Sequence, residues 1–142
     1  MGIYDHGMRA NLTLSVLPAL FVAGCAAAPA AGSGLAGTDW TIVKVDGAAP
    51  AKPQRASLRF DDERLSANVG CNGIGGDYRV DGSRLVAGPL MATRMFCEGQ
   101  VWKQEEAVNA LLSAAPEIQR SGNAMRLTSG GHSLELALVA RS

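Results

Sequence analysis

Outside the N-terminal segment, the soft ligands and nucleophiles of this chain are Cys71, Cys97 and His132. A structural zinc site takes about four such ligands, so these three fall short of one. A catalytic thiol needs a positioned base, and His132 follows Gly130-Gly131 in a loop-like setting. That leaves a disulfide between Cys71 and Cys97, or two buried free thiols. Phosphate binding is the next chemistry to weigh, because Gly70-Cys71-Asn72-Gly73-Ile74-Gly75-Gly76-Asp77-Tyr78 is dense in glycine. The segment lacks Gly-Lys-Ser/Thr and GxGxxG order, and no helical pattern follows it. Its glycines fit tight turns and close backbone approach between strands, with Asn72 in a structural, loop-bonding role. The acidic Asp61-Asp62-Glu63 reads as a solvated hairpin turn. No Ser, His or carboxylate set has catalytic spacing, so no enzyme is expected, and neither a metal nor a cofactor.

Cys25 has a different setting. Leu12–Val22 is an apolar run shorter than the roughly 20 residues of a membrane span and within the length of a signal-peptide core. Val22-Ala23-Gly24-Cys25 resembles the lipobox of bacterial lipoproteins, in which the cysteine is lipidated and becomes the mature N-terminus. Residues 1–24 are therefore expected to be a lipoprotein signal peptide, residues 25–36 a flexible linker and residues 37–142 the folded domain. Met1–Met8 contains no Lys or Arg, whereas a start at Met8 places Arg9 directly before the apolar run. The true start is expected there. Met1-Gly2 does not read as a myristoylation signal, because His6 stands where that motif has Ser or Thr. With Cys25 assigned to lipid, Cys71 and Cys97 form an even pair in an oxidising compartment, and a disulfide is the natural expectation. Closing that loop is worth roughly 3–3.5 kcal/mol by chain entropy. Ala26 after Cys25 points to an outer-membrane lipoprotein facing the periplasm.

Thirteen basic and thirteen acidic residues balance. Removing the leader takes away one of each, Arg9 and Asp5, so the remainder stays neutral. There is no basic stripe to hold a nucleic-acid backbone, and none is expected as partner.

The elements that must position these residues are short. Trp40–Val45 is β-branched and aromatic, and Ala48–Pro53 is a proline-stiffened loop. Ser57–Phe60 and Leu65–Val69 alternate so that Leu58, Phe60, Leu65, Ala67 and Val69 share a face. Tyr78–Val80 and Arg84–Val86 flank a turn at Asp81-Gly82-Ser83, and Leu90–Met95 reads as a further strand. Gln100–Ala115 is the one helix, with Val101, Val108, Leu111, Leu112 and Ala115 on its inner stripe and Trp102 at the rim. A last hairpin joins Ala124–Ser129 to Ser133–Val139, burying Leu134, Leu136 and Leu138. The expected fold is mainly β (α+β): a twisted antiparallel sheet or partly open barrel of about seven or eight strands with one packed helix.

Gly70-Cys71-Asn72, Gly76-x-Tyr78 and Thr93-Arg94-Met95-x-Cys97, followed by a helix and a closing hairpin, together resemble the META-domain, HslJ-like family of bacterial envelope proteins. The resemblance runs from about Leu35 to Val139. It implies a compact β-rich domain with a helix on the sheet and no established catalytic activity. It also implies a general association with heat shock, stress, drug tolerance and secretion. Ile74-Gly75 replaces bulkier residues often found in the motif, so that loop is expected to be more open. Two functions follow as expectations. One is a monomeric, lipid-anchored module that binds an envelope partner or supports envelope integrity, using the Asn72–Asp77 loop, Arg94 and the nearby helix end. The other is a pilotin-like carrier holding a hydrophobic or lipid ligand between helix and sheet, against Leu111, Leu112, Met91 and Met95. Met91, Met95 and Phe96 read chiefly as core filling, with groove lining as the second use.

Overall fold

A computed structural model describes residues 34–140, together with Gly2 and Gly24 as isolated positions. The chain divides into two units, Met1–Ala30 and Ala31–Ser142. The expected signal peptide, apart from Gly2 and Gly24, and the expected linker from Cys25 up to residue 33 lie outside the described residues. The second unit holds all the regular elements: β1 (Thr38–Val45), β2 (Ser57–Phe60), β3 (Arg64–Asn68), β4 (Gly73–Asp81), β5 (Arg84–Ala87), β6 (Met91–Ala92), α1 (Gly99–Ser113), β7 (Glu117–Ser121), β8 (Ala124–Ser129) and β9 (His132–Leu138), among the described residues.

The strands run β3-β2-β1-β9-β8-β7-β5-β4, and β4 pairs back to β3, so eight antiparallel strands close a barrel with β6 added along β4. Closure removes the open edges that a curled sheet would expose. Alternation does the inward sorting: Leu58 and Phe60 on β2, Leu65 and Ala67 on β3, and Leu134 and Leu136 on β9 are all buried. Trp40, fully buried, fills the interior at the start of β1, and the Arg120 guanidinium lies 5.2 Å from its ring centre. One joint is thin. β5 meets β7 at the single pair Arg84 and Glu117, held by Leu85 N–H to Pro116 C=O and Ile118 N–H to Ser83 C=O.

Helix α1 packs against β9, β5, β1 and β8, burying Val108, Leu111 and Leu112. Gln104 pins it at its middle: Oε1 accepts from Ala51 N–H at 2.8 Å and Nε2 donates to Ala49 C=O at 2.9 Å. Where the chain enters β1, Gly37 N–H bonds Phe60 C=O at the end of β2.

Several expectations need correction. The domain begins before residue 37, because Leu35 is already in the core and Gly34 C=O accepts from Arg120. The stretch from Gly73 to Asp77 is the first part of a strand and not a loop, because Gly73, Gly75 and Gly76 pair with Asn68, Ser66 and Leu65 of β3. Leu90–Met95 shrinks to the two residues of β6. A strand at Glu117–Ser121 was not anticipated; it presents only Ile118 partly inward. His132 is also drawn into β9, where Nδ1 meets Asp46 Oδ2 at 2.8 Å.

Two predictions come from this geometry. A Cβ on Gly76 would lie 2.8 Å from Pro89 O and 3.0 Å from Leu90 Cδ2, whereas one on Gly73 meets nothing within 4 Å. Gly76→Ala is expected to lower stability by about 1–3 kcal/mol and Gly73→Ala by much less, read from denaturant midpoints. The second concerns Asp46, which has φ of 50° and joins the end of β1 to β9. Partial burial works to raise its carboxyl pKa, but the Ser133 N–H bond and His132 outweigh it and bring the group below its ordinary 3.8. A depressed carboxyl stabilises the fold above its unfolded pKa and loses that contribution as pH falls through the folded value. Asn tolerates the same positive φ, so Asp46→Asn should flatten the loss of stability below about pH 4, measured by melting at stepped pH.

Candidate functional site

Asn72, just before β4, is only 2% exposed. A buried primary amide must have its donors and acceptor met, and here three segments converge to do so. Its Oδ1 accepts from Met95 N–H at 2.7 Å and Thr93 Oγ1–H at 2.8 Å. Its Nδ2 donates to Glu105 Oε1 at 2.8 Å, Met95 C=O at 3.2 Å and Cys97 Sγ at 3.2 Å. Its backbone N–H reaches Glu105 Oε2 at 2.9 Å. The side chain thus bonds both the N–H and the C=O of Met95, as a neighbouring strand would. This explains why β6 stops early: from Met95 onward a side-chain amide replaces the ladder. Thr93 supports the join, with Gly73 N–H donating to Thr93 Oγ1 and Thr93 N–H to Gly73 C=O.

The Cys71–Cys97 disulfide, with Cα atoms 6.2 Å apart, brackets this network and closes a 26-residue separation. Cys71, Cys97 and Glu105 place ligand-type atoms within 4.8 Å of one another. Both sulfurs are bonded to each other, so the group has no thiolate to offer a metal.

Above the network opens a cleft of about 750 Å³ between α1 and the 91–97 segment. Asn72 and Glu105 form part of its floor, Trp102 and Glu106 stand on the helix side, and Arg94, Met95 and Phe96 on the other. Phe96 is 88% exposed, Met91 77%, Met95 55% and Trp102 42%. The core-filling reading of Met91, Met95 and Phe96 is therefore overturned. Their segment runs beside β4, with Met91 and Ala92 paired to Gly75 and Ile74 and the Met95 backbone held by Asn72, and their side chains stand in solvent. Leu111 and Leu112, conversely, are core residues, and of the four residues expected to line a groove between helix and sheet only Met95 lines the cleft.

The motif residues separate into two groups. Cys71, Asn72, Thr93, Arg94, Met95 and Cys97 meet at the cleft. Gly70, Gly76 and Tyr78 do not. Gly70 has φ of 128° and faces the Lys52 side chain, a conformation only glycine takes readily. Tyr78 packs edge-on to Phe60 with ring centres 5.0 Å apart, and its hydroxyl donates to Asp61 C=O at 2.9 Å. Burial first, then the charges of Asp62 and Asp61, raise its pKa above 10.0. The residue that sequence reasoning missed is Glu105. Its signal was a carboxylate on the buried stripe, four after Val101 and three before Val108.

Asn72→Ala would leave Glu105 Oε1, the Thr93 hydroxyl proton and both Met95 backbone groups without their side-chain partner at once. The expected loss is about 3 kcal/mol or more, with the disulfide still formed, measured by chemical denaturation and thiol titration.

Three comparisons place the chain among known proteins. A solution structure of a protein from Burkholderia xenovorans matches with 27% identity and a TM-score of 0.61, over 76% of this chain and 86% of that one. A second NMR structure matches at 20% identity and a TM-score of 0.65, covering 74% and 92%, and shares the fold. No curated protein sequence matches. The META domain profile matches residues 33–140. Spanning nearly all of the described barrel, helix and cleft, that match makes this chain a member of the META domain family.

Proposed function

We propose that this protein is a lipid-anchored, non-enzymatic module of the bacterial envelope, held at the outer membrane through Cys25 and binding its partner in the cleft between α1 and the 91–97 segment. The observation that carries the reading is the placement of Met95, Phe96 and Trp102, exposed together around a concave surface bordered by the disulfide and Asn72. Apolar side chains kept out of a core and grouped at a cleft mark a binding surface. The lipobox-like Val22-Ala23-Gly24-Cys25 and the disulfide suit an exported chain. A role in tolerance of heat, detergent or hydrophobic drugs fits a binding module at that location.

The carrier reading also has support, since the cleft borders the helix and its lining includes the exposed apolar side chains of Met95, Phe96 and Trp102. Its ligand would then rest on Met95, Phe96 and Trp102, not on Leu111 and Leu112.

Two experiments test the proposal. Metabolic labelling with a radioactive fatty acid should label the wild-type chain and not Cys25→Ser. A deletion strain should lose viability under detergent or hydrophobic antibiotic, with rescue by the wild type and much weaker rescue by Phe96→Ser/Trp102→Ser. An unlabelled chain would refute the anchor, and full rescue by the double variant would refute the cleft.

A further inference from the structure

Glu105 is 5% exposed, and both its carboxylate oxygens accept hydrogen bonds from Asn72. Among the described residues, no Lys, Arg or His side chain forms an ion pair with it. A carboxylate held out of water without a cation is costly, even when amide donors meet its lone pairs. The carboxylate supplies the two acceptors that the Asn72 donors need, which a glutamine or an apolar residue could not, and its charge is left without a cation. Here the carboxylate forms the floor of a solvent-open cleft, with Glu106 beside it on the same helix. The walls above are Trp102, Phe96 and Met95, two aromatic rings and a thioether. Arg94 is the one cationic side chain on the lining, and it makes no ion pair among the described residues. Two carboxylates against one guanidinium leave the cleft net negative.

We propose that the cleft takes an organic cation: a protonated amine directed at Glu105, carrying an apolar body that lies against Trp102, Phe96 and Met95. The charge complements the floor, and aromatic faces add attraction for an ammonium group. The apolar body covers side chains that otherwise stand in water. Glu105 binds, and Asn72 positions it by bonding both oxygens; Glu106 adds field at the rim. Arg94 opposes the cation, so it sets selectivity against small inorganic ions that bring no apolar area to offset that repulsion. This inference rests on the cleft being the binding site, and it names the chemical class of what is bound.

The test uses the full chain with Cys25→Ser, so that no acyl group competes, and compares nonylammonium, nonanol and nonanoate as probes. Binding is followed by intrinsic fluorescence, in which Trp102 reports on the cleft while Trp40 is buried in the core, and is checked by calorimetry. Nonylammonium is expected to bind about tenfold or more tightly than nonanol, as charge-assisted hydrogen bonds allow. Glu106→Gln should weaken the ammonium, and Arg94→Gln should tighten it several-fold, with nonanol unchanged in both. Neither side chain has a hydrogen-bonding role in the described fold, so these variants read charge without disturbing Asn72. Equal affinity for nonylammonium and nonanol would overturn the cation assignment while leaving an apolar-ligand cleft. Preference for nonanoate would overturn it in favour of Arg94 as the anchor. Failure of all three probes to bind would count against the cleft as a small-ligand site altogether.

Discussion

A buried amide left with unmet hydrogen-bonding groups would cost about as much as several favourable contacts supply, and Asn72 is a buried amide whose donors and acceptor are all met. The site is arranged to meet its demands. Helix α1 is rotated so that Glu105 faces inward, and the 93–95 segment is held alongside the start of β4. The disulfide ties the residue before Asn72 to the segment that Asn72 bonds. Gln104 and Glu105 are consecutive, and together they attach the middle of the helix to two different stretches of chain, the Ala49–Ala51 loop and Asn72. The helix is thus located by directional bonds as well as by its apolar stripe, which alone would allow sliding.

This arrangement separates two uses of sulfur and aromatic side chains. Trp40 and Phe60 are spent on the barrel interior, whereas Trp102 and Phe96 face the solvent around the cleft. Met125 is core, and Met91 and Met95 are surface. A segment rich in Met and Phe would ordinarily collapse onto the nearest apolar face. Here its backbone is bonded in place by Asn72, and its side chains stand in solvent. The shape of the cleft is consequently set by the fold itself.

Much of the barrel was legible because period-two alternation is a strong signal where one face is buried. Leu58, Phe60, Leu65, Ala67 and Val69 were assigned to one face, and all five are buried. The helix was legible for the same reason at its own period. The glycine-rich stretch misled because glycine normally weakens a strand, and the compensation lies elsewhere in the chain: Gly76 makes room for the Pro89 carbonyl against β4. β7 was missed because Glu117–Ser121 has neither β-branched density nor a clean alternation, and pairing with β8 across the whole strand supplies what its residues do not. The Cys71–Cys97 pairing was open to cysteine arithmetic. The convergence of Asn72, Glu105 and Met95 was not, since it joins residues from three separate segments through side-chain bonds that leave no periodic trace.

The thin joint between β5 and β7 has a consequence for how this barrel is closed. A closed sheet distributes its stability along the ladder, and opening free energy follows the local number of backbone bonds. Eight strands closed through one residue pair at Arg84 and Glu117 behave less like a sealed cylinder than like a rolled sheet with a latch. Arg84 reinforces that latch from outside, its guanidinium donating to Ala115 C=O at 3.1 Å at the end of α1. The end of the helix thus acts as the clasp of the seam. None of the residues at the seam lines the cleft or bonds Asn72, so closing the barrel and shaping the cleft fall to different parts of one small fold.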